Sequence, residues 1–242
     1  MRRPPSQQEV IDGFLAAYRQ GAFPMAEPAT PGALRRDPNA EGPIRWYAPD
    51  PRAILPLTDG GLHVPRSLQR TLRKRPFVLT SDRCFGRVIR ACAEPSPRRG
   101  GAWLNETLIN CYTLLHERGH VHSIEAWTSP PDTLPATGGQ AASATHDHQL
   151  VGGIYGVSIG RAFMAESMFC KPELGGTDAS KVCLVTLWEH LRACGYELLD
   201  VQIANDHTER FGVVDIGLDE YLEQLNAAIH HADAWKPLPP GS

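Results

Sequence analysis

The chain has 242 residues, 42% of them hydrophobic and 21% charged, with a formal net charge of −3. This is an ordinary composition for a soluble globular protein, long enough for one large domain or a small one beside a larger one. Whole-chain electrostatics announce no nucleic-acid partner, so any such site has to be a local patch. The start, MRRPPSQQEV, has arginines but no apolar run behind them, so no export signal is expected. No stretch has the uninterrupted apolar length of a membrane span. Cysteines 84, 92, 111, 170, 183 and 194 form no C-x-x-C pair and lie mostly in apolar periodic stretches. They read as reduced thiols of a cytoplasmic protein rather than a disulfide frame or zinc knuckle.

In chain order, a helix is expected over 7–20. Ser6 and Glu9 make its capping box, Val10, Ile11, Phe14, Leu15 and Tyr18 its apolar stripe, and Gly21 its end. GAFPM and a polar, proline-rich loop follow. In IRWYAPDPRAILPL, Trp46 and Tyr47 precede two prolines, and residues 53–57 read as a short strand. A Trp-Tyr pair serves core or interface packing, or makes a platform for a base or an apolar side chain.

The next segment is the most basic of the chain. Arg66, Arg70 and Arg73 fall at i, i+4 and i+7 on one helical stripe, with Lys74 and Arg75 beside them. After a strand over 77–79, a second helix is expected from near Asp82, and Arg83, Arg87 and Arg90 repeat that spacing. Two consecutive basic helices predict one local positive surface. Such stripes are either solvated faces or seats for a phosphate backbone.

Trp103 leads into a helix over 105–118, closed by Gly119. HVHSIEAW reads as a strand. His120 and His122 share a face, but no third ligand is spaced to join them, so packing or hydrogen bonding is expected. Residues 129–149 look like a mobile hairpin insertion whose His146, Asp147 and His148 are incidental. Asp178 is expected to cap a helix through Cys194, Tyr196 to Ile203 to form a strand, and a last helix to start near Asp219. The tail AWKPLPPGS is expected to be frayed.

Everything else is organised around LVGGIYGVSIGRAFMAESMF, residues 150–169. It reads as two strands with a tight turn at Ser158-Ile159-Gly160. By alternation, Ala162, Met164, Glu166 and Met168 share one face. An acid in line with methionines is costly to bury unless something pairs with it. Glu166 therefore meets a cation, lines a cavity that receives one, or stands at the mouth of a bulged core strand. The glycines at 152, 153 and 156 suit a close approach to backbone. In YELLDVQI, Asp200 and Gln202 lie two apart and are expected on one side, an acid and an amide amid apolar neighbours.

The ordered set GAFPM, WYAPDPRAILPL, HVPRSLQRTLRK, HVHSIEAW, LVGGIYGVSIG, AESMF, DASK and LLDVQ followed by NDH resembles the bacterial leucyl/phenylalanyl-tRNA–protein transferases. The resemblance runs from about residue 9 to 225. Each motif is modest alone; together, in order, they are specific. Two departures are local: Ala165 stands where many members have glycine, and residues 129–149 replace a short turn.

The resemblance implies an α/β fold, with a small N-terminal domain over 1–60 and an acetyltransferase-like (GNAT-like) domain over 61–242 built on a central mixed sheet. It implies transfer of Leu or Phe, sometimes Met, from aminoacyl-tRNA to proteins beginning with Arg or Lys. The product is an N-degron, and no cofactor or metal is implied. A monomer is expected. Gln202 and Asp200 would be the catalytic pair, the amide holding the attacking amine or tetrahedral centre and the acid orienting it or accepting a proton. Glu166 would hold the acceptor's cationic amino terminus. Trp46, Trp103, Ile154, Phe163 and Met168 would form the aminoacyl and adenosine pocket. Arg66, Arg70, Arg73, Lys74, Arg83, Arg87 and Arg90 would hold the tRNA. Two rival readings are an acetyl-CoA-dependent acetyltransferase and a non-catalytic RNA-binding module. LGGTD before the Asp178 helix lacks the arginine of a pyrophosphate loop, which disfavours the first. The second leaves Glu166, Asp200 and Gln202 without a purpose.

Overall fold

The computed structural model describes residues 3–37, 40–94, 103–128, 149–205 and 208–239. The expected insertion over 129–149 therefore lies almost wholly outside the described residues, as do Arg98, Arg99, Asp206 and His207. Helix α1 (Gln7–Arg19) opens with the Ser6/Glu9 capping box. Strands β1 (Phe23–Ala26) and β2 (Ile44–Tyr47) form a separate antiparallel pair, with a short helix α2 (Pro31–Arg36) between them.

The remaining strands make one seven-stranded mixed sheet. They are β3 (Arg52–Ile54), β4 (Val78–Ser81), β5 (Val121–Trp127), β6 (Leu150–Ile159), β7 (Ala162–Cys170), β8 (Leu198–Gln202) and β9 (Val214–Ile216), in the order β4-β5-β6-β7-β8-β3-β9. Residues 52–54 thus join the large sheet from within the expected N-terminal region. The β7–β8 pair is parallel and the other pairs are antiparallel. Parallel neighbours need a crossover, and here it is α6 (Ala179–Cys194).

Alternation of the strands sends apolar side chains to both faces, and each face has its own core. One is covered by α1, α4 (Phe85–Ala93), α5 (Glu106–Glu117) and α7 (Leu218–Ile229), with Phe14, Val88, Tyr112, Tyr155, Val157 and Leu225 among its members. The other is covered by α6 and α3 (Arg66–Lys74), around Leu68, Ile154, Phe163, Leu184 and Leu199. Two glycines of β6 allow the second packing. A Cβ on Gly152 would lie 2.5 Å from that of Ala179, and one on Gly156 would lie 2.4 Å from the Phe163 ring.

Three expectations are corrected here. Strand β6 continues through Ile159, so the hairpin turns at Gly160-Arg161 instead of one residue earlier. Asp178 begins α6 with φ 67° and makes no capping bond; its carboxylate meets Lys181 and Thr71. The tail is docked, not frayed, as far as Pro239. Trp235 stacks on His122 and Phe163 and donates to Asp82, the Lys236 carbonyl contacts His190, and Leu238 N donates to Ser81. An indole buries much apolar area and brings one donor that finds a partner, so a single tryptophan anchors the segment.

Candidate active site

Strands β7 and β8 pair only from Ala162–Leu198 to Met164–Asp200. Both run on past that point, and they part. Residues 162–164 and 198–200 are buried, while 165–168 and 201–202 are half-exposed. The parting coincides with a bulge. Tyr155 opposes Ser167 and Gly156 opposes Ala165, so Glu166 is the extra residue of β7. Bulges re-aim side chains and end regular pairing. The bulge also corrects the expected alternation. Met164 and Glu166 turn toward the α1/α5 face, whereas Met168 packs with Ile154 and Phe163 on the α6 face.

Glu166 stands at one lip of this notch. Tyr18 of α1 donates to its Oε1 at 2.8 Å and Tyr112 of α5 to its Oε2 at 3.1 Å. Burial is the strongest influence on the carboxyl and raises its pKa to about 7. Hydrogen bonds from Tyr18, Gln202 and Tyr112 work against that rise, and the nearby Asp200 charge adds to it.

The opposite lip is built by a buried ion pair. Arg52 and Asp200 are both 0% exposed. Arg52 donates Nε to Oδ1 at 2.9 Å and Nη2 to Oδ2 at 2.6 Å, and its Nη1 donates to the Gly21 carbonyl. The guanidinium lies against the Phe23 and Tyr221 rings. Burial opposes its charge, but the bonds and charge of Asp200 prevail, and its pKa stays above the usual value. Tyr221 donates to Asp200 Oδ2 at 2.8 Å, and the Gln202 backbone N–H donates to Oδ1 at 2.7 Å. Asp200 thus accepts four hydrogen bonds, about the full capacity of a carboxylate. Its fixed oxygens hold the backbone of Gln202, whose φ is 68°. A left-handed non-glycine residue is uncommon and clusters at functional sites. This twist, not regular alternation, brings the Gln202 amide beside Glu166. The amide is close enough to favour the charged carboxylate, yet its buried Nε2 completes no hydrogen bond.

The expected residues therefore divide. Glu166, Asp200 and Gln202 meet. Trp46 is 40% exposed and packs edge-on to Phe14 and Tyr18, beside the Glu166 lip. Trp103 packs against the α1-side core, and its carbonyl accepts the Ala26 N–H of β1. Ile154, Phe163 and Met168 lie together on the α6 side. Among the described residues no group of three potential metal ligands is found, and His122 is hydrogen-bonded to Asp82 and the Gly119 carbonyl.

The basic stripes do not form one surface. Arg66, Arg70, Arg73 and Lys74 are exposed on α3, on the α6 face, and none is ion-paired to another described residue. The second stripe lies on the other face because α4 packs beside α5. Arg83 precedes that helix, Arg87 lies over the Trp127 ring, and Arg90 pairs with Glu106 at 3.1 Å.

Arg52, Tyr18, Tyr112 and Tyr221 are site residues that the sequence reading passed over. A signal existed for each. Arg52 is a charge leading an apolar strand, which demands a partner. A tyrosine in a buried helical stripe brings a hydroxyl that must find one too.

Residues 54–226 match the family model for leucyl/phenylalanyl-tRNA protein transferase. The chain is also 39% identical over 227 residues to the leucyl/phenylalanyl-tRNA--protein transferase of Salinibacter ruber (strain DSM 13855 / M31), covering 94% of this chain and 83% of that protein. The chain belongs to the leucyl/phenylalanyl-tRNA protein transferase family. It is an aminoacyltransferase, moving an aminoacyl group from tRNA to protein. The notch between β7 and β8 is its candidate active site. Among the described residues no helix is long and apolar enough to cross a membrane.

Proposed function

We propose that the chain transfers Leu or Phe, with Met as a further donor, to the α-amino group of proteins that begin with Arg or Lys, marking them for degradation as N-degrons. The observation that carries this reading is the meeting of Glu166 and the orphaned Gln202 amide at the notch. The ester donor is already activated, and an α-amine with pKa about 7.7–8.0 is partly neutral at pH 7. The chemistry therefore needs alignment more than a strong base, and alignment is worth about 7–11 kcal/mol.

In this reading Glu166 holds the acceptor's amino terminus by charge pairing. Gln202 Nε2 donates to the oxygen that gains charge in the tetrahedral centre. Asp200 orients Gln202; with four donors on it, it is not the proton acceptor. Ile154, Phe163 and Met168 receive the aminoacyl side chain from the α6 side, where methionine adapts to either shape. Trp46 and Trp103 seat the terminal adenosine or the aminoacyl group. The α3 cations Arg66, Arg70, Arg73 and Lys74 carry the acceptor arm through phosphates. The architecture is read as GNAT-like, with residues 1–60 as a small N-terminal domain, and the protein as a cytoplasmic monomer.

The test is transfer from Leu-, Phe- and Met-tRNA to peptides that differ only in their first residue. Arg- and Lys-initiated peptides are expected to be used and Asp-initiated ones rejected. Indifference to the first residue sinks the acceptor assignment.

A further inference from the structure

Three oxygen-bearing side chains meet between α1, α5 and β7. Tyr18 Oη lies 2.8 Å from Glu166 Oε1 and 2.8 Å from Tyr112 Oη, and Tyr112 Oη lies 3.1 Å from Glu166 Oε2. Each of these three contacts needs one proton between its oxygens. Each tyrosine has one to give. An ionised Glu166 therefore leaves three contacts sharing two protons. A protonated Glu166 supplies the third, and the donors then follow one another around a closed ring. Tyr18 donates to Glu166, Tyr112 to Tyr18, and Glu166 to Tyr112. The tyrosines are 1% and 0% exposed, and burial above all raises both their pKa values well above normal, so both keep their protons.

The other polar groups around Glu166 do not compete for this role. Gln202 has amide protons but none to exchange at neutral pH. Asp200 and Arg52 are committed to each other, and Tyr221 donates to Asp200. Their charges act on Glu166 in opposite senses, with Asp200 resisting its ionisation and Arg52 favouring it.

We propose that the Tyr18–Tyr112–Glu166 ring is the proton acceptor of the reaction, with Glu166 touching the amine and the two tyrosines positioning it. This rests on the reading that Glu166 faces the acceptor amine. The ammonium terminus gives one proton to the Glu166 carboxylate, and the ring closes. The neutral amine attacks the ester carbonyl, the C–N bond forms and the bond from carbon to the ribose oxygen breaks. The second amine proton passes to that leaving oxygen, which becomes a hydroxyl. Glu166 returns its proton to water as the product leaves. One proton is released per turnover, and no further reactant is needed. The raised pKa of Glu166, about 7, places the exchange in the physiological range.

The test is a titration of the full-length protein with 13C-carboxyl-labelled glutamate, the Glu166 signal being the one missing from Glu166→Gln. Glu166 is expected to titrate near 7. Tyr18→Phe and Tyr112→Phe each remove a donor to the ionised form and should move that titration upward by about one pH unit. The rising limb of kcat/KM against pH should move with it, with activity recovering at high pH to within about twofold of the parent. A Glu166 titration near 4.5, or an equal loss of activity at every pH in both tyrosine variants, overturns the ring while leaving the amine site intact. Full acceptor use by Glu166→Gln overturns both the ring and the amine site.

Discussion

Arg52 grips both oxygens of Asp200, at 2.9 and 2.6 Å, with neither residue reached by solvent. Removing one partner of a buried pair leaves a charge without compensation and costs about 3–5 kcal/mol. Asp200→Ala is expected to lower unfolding stability by that order in urea titrations. Gln202→Ala, by contrast, should leave the urea midpoint nearly unchanged and cut transfer of Phe to an Arg-initiated peptide by at least about tenfold. Near-normal turnover of Gln202→Ala removes the amide from the site.

The two arginine stripes should behave differently in tRNA binding. Reversing Arg66 and Arg70 to glutamate removes cations that are ion-paired to no other described residue, so affinity should fall. The slope of log affinity against log salt should flatten by about one unit per lost phosphate contact. Arg90→Glu should change that slope little, since Arg90 already pairs with Glu106. Equal slopes for the α3 variant and the parent would make the α3 stripe a solvated face.

Stability should depend on pH through a second carboxylate, far from any substrate. Glu125 is 0% exposed and accepts bonds from Ser123 and Thr80. Burial, the main cause, raises its pKa from 4.5 to about 7, with Ser123 and Thr80 opposing and Asp82 assisting. The unfolded chain releases this proton near 4.5 and the folded chain near 7, so the folded state binds more protons in between. The stabilisation is complete below pH 4.5 and is lost as pH rises to 7, amounting to about 3 kcal/mol. Glu166 contributes in the same sense. Urea midpoints at pH 5 and 7.5 should therefore differ less in Glu125→Gln than in the parent. An unchanged difference would mean that Glu125 titrates as an ordinary carboxylate.

Local signals made several elements legible. The Ser6/Glu9 pair and an apolar stripe announced α1, and Asn105 and Gly119 framed α5. The Glu166, Asp200 and Gln202 set was legible because acids and amides in apolar strands need a reason. What escaped depended on distant partners. No periodicity reveals that β7 carries one extra residue against β6, yet that residue decides which way Met168 and Glu166 face. Nor does helical spacing tell that α3 and α4 lie on opposite faces of a sheet, because that follows from the path of the chain between them. The docking of Trp235 was missed for the same reason: a short apolar tail looks loose until His122 and Phe163 are placed beneath it.

Tyr18, Gly21, Trp46 and Arg52 all precede the matched segment over 54–226. A chain cut down to that segment would keep Glu166, Asp200 and Gln202 but lose the hydroxyl, the carbonyl and the guanidinium that neutralise and aim them. Two acids would then sit in an oily interior with no counterweight. The boundary of recognisable kinship is thus narrower than the smallest piece of this chain that should be able to work.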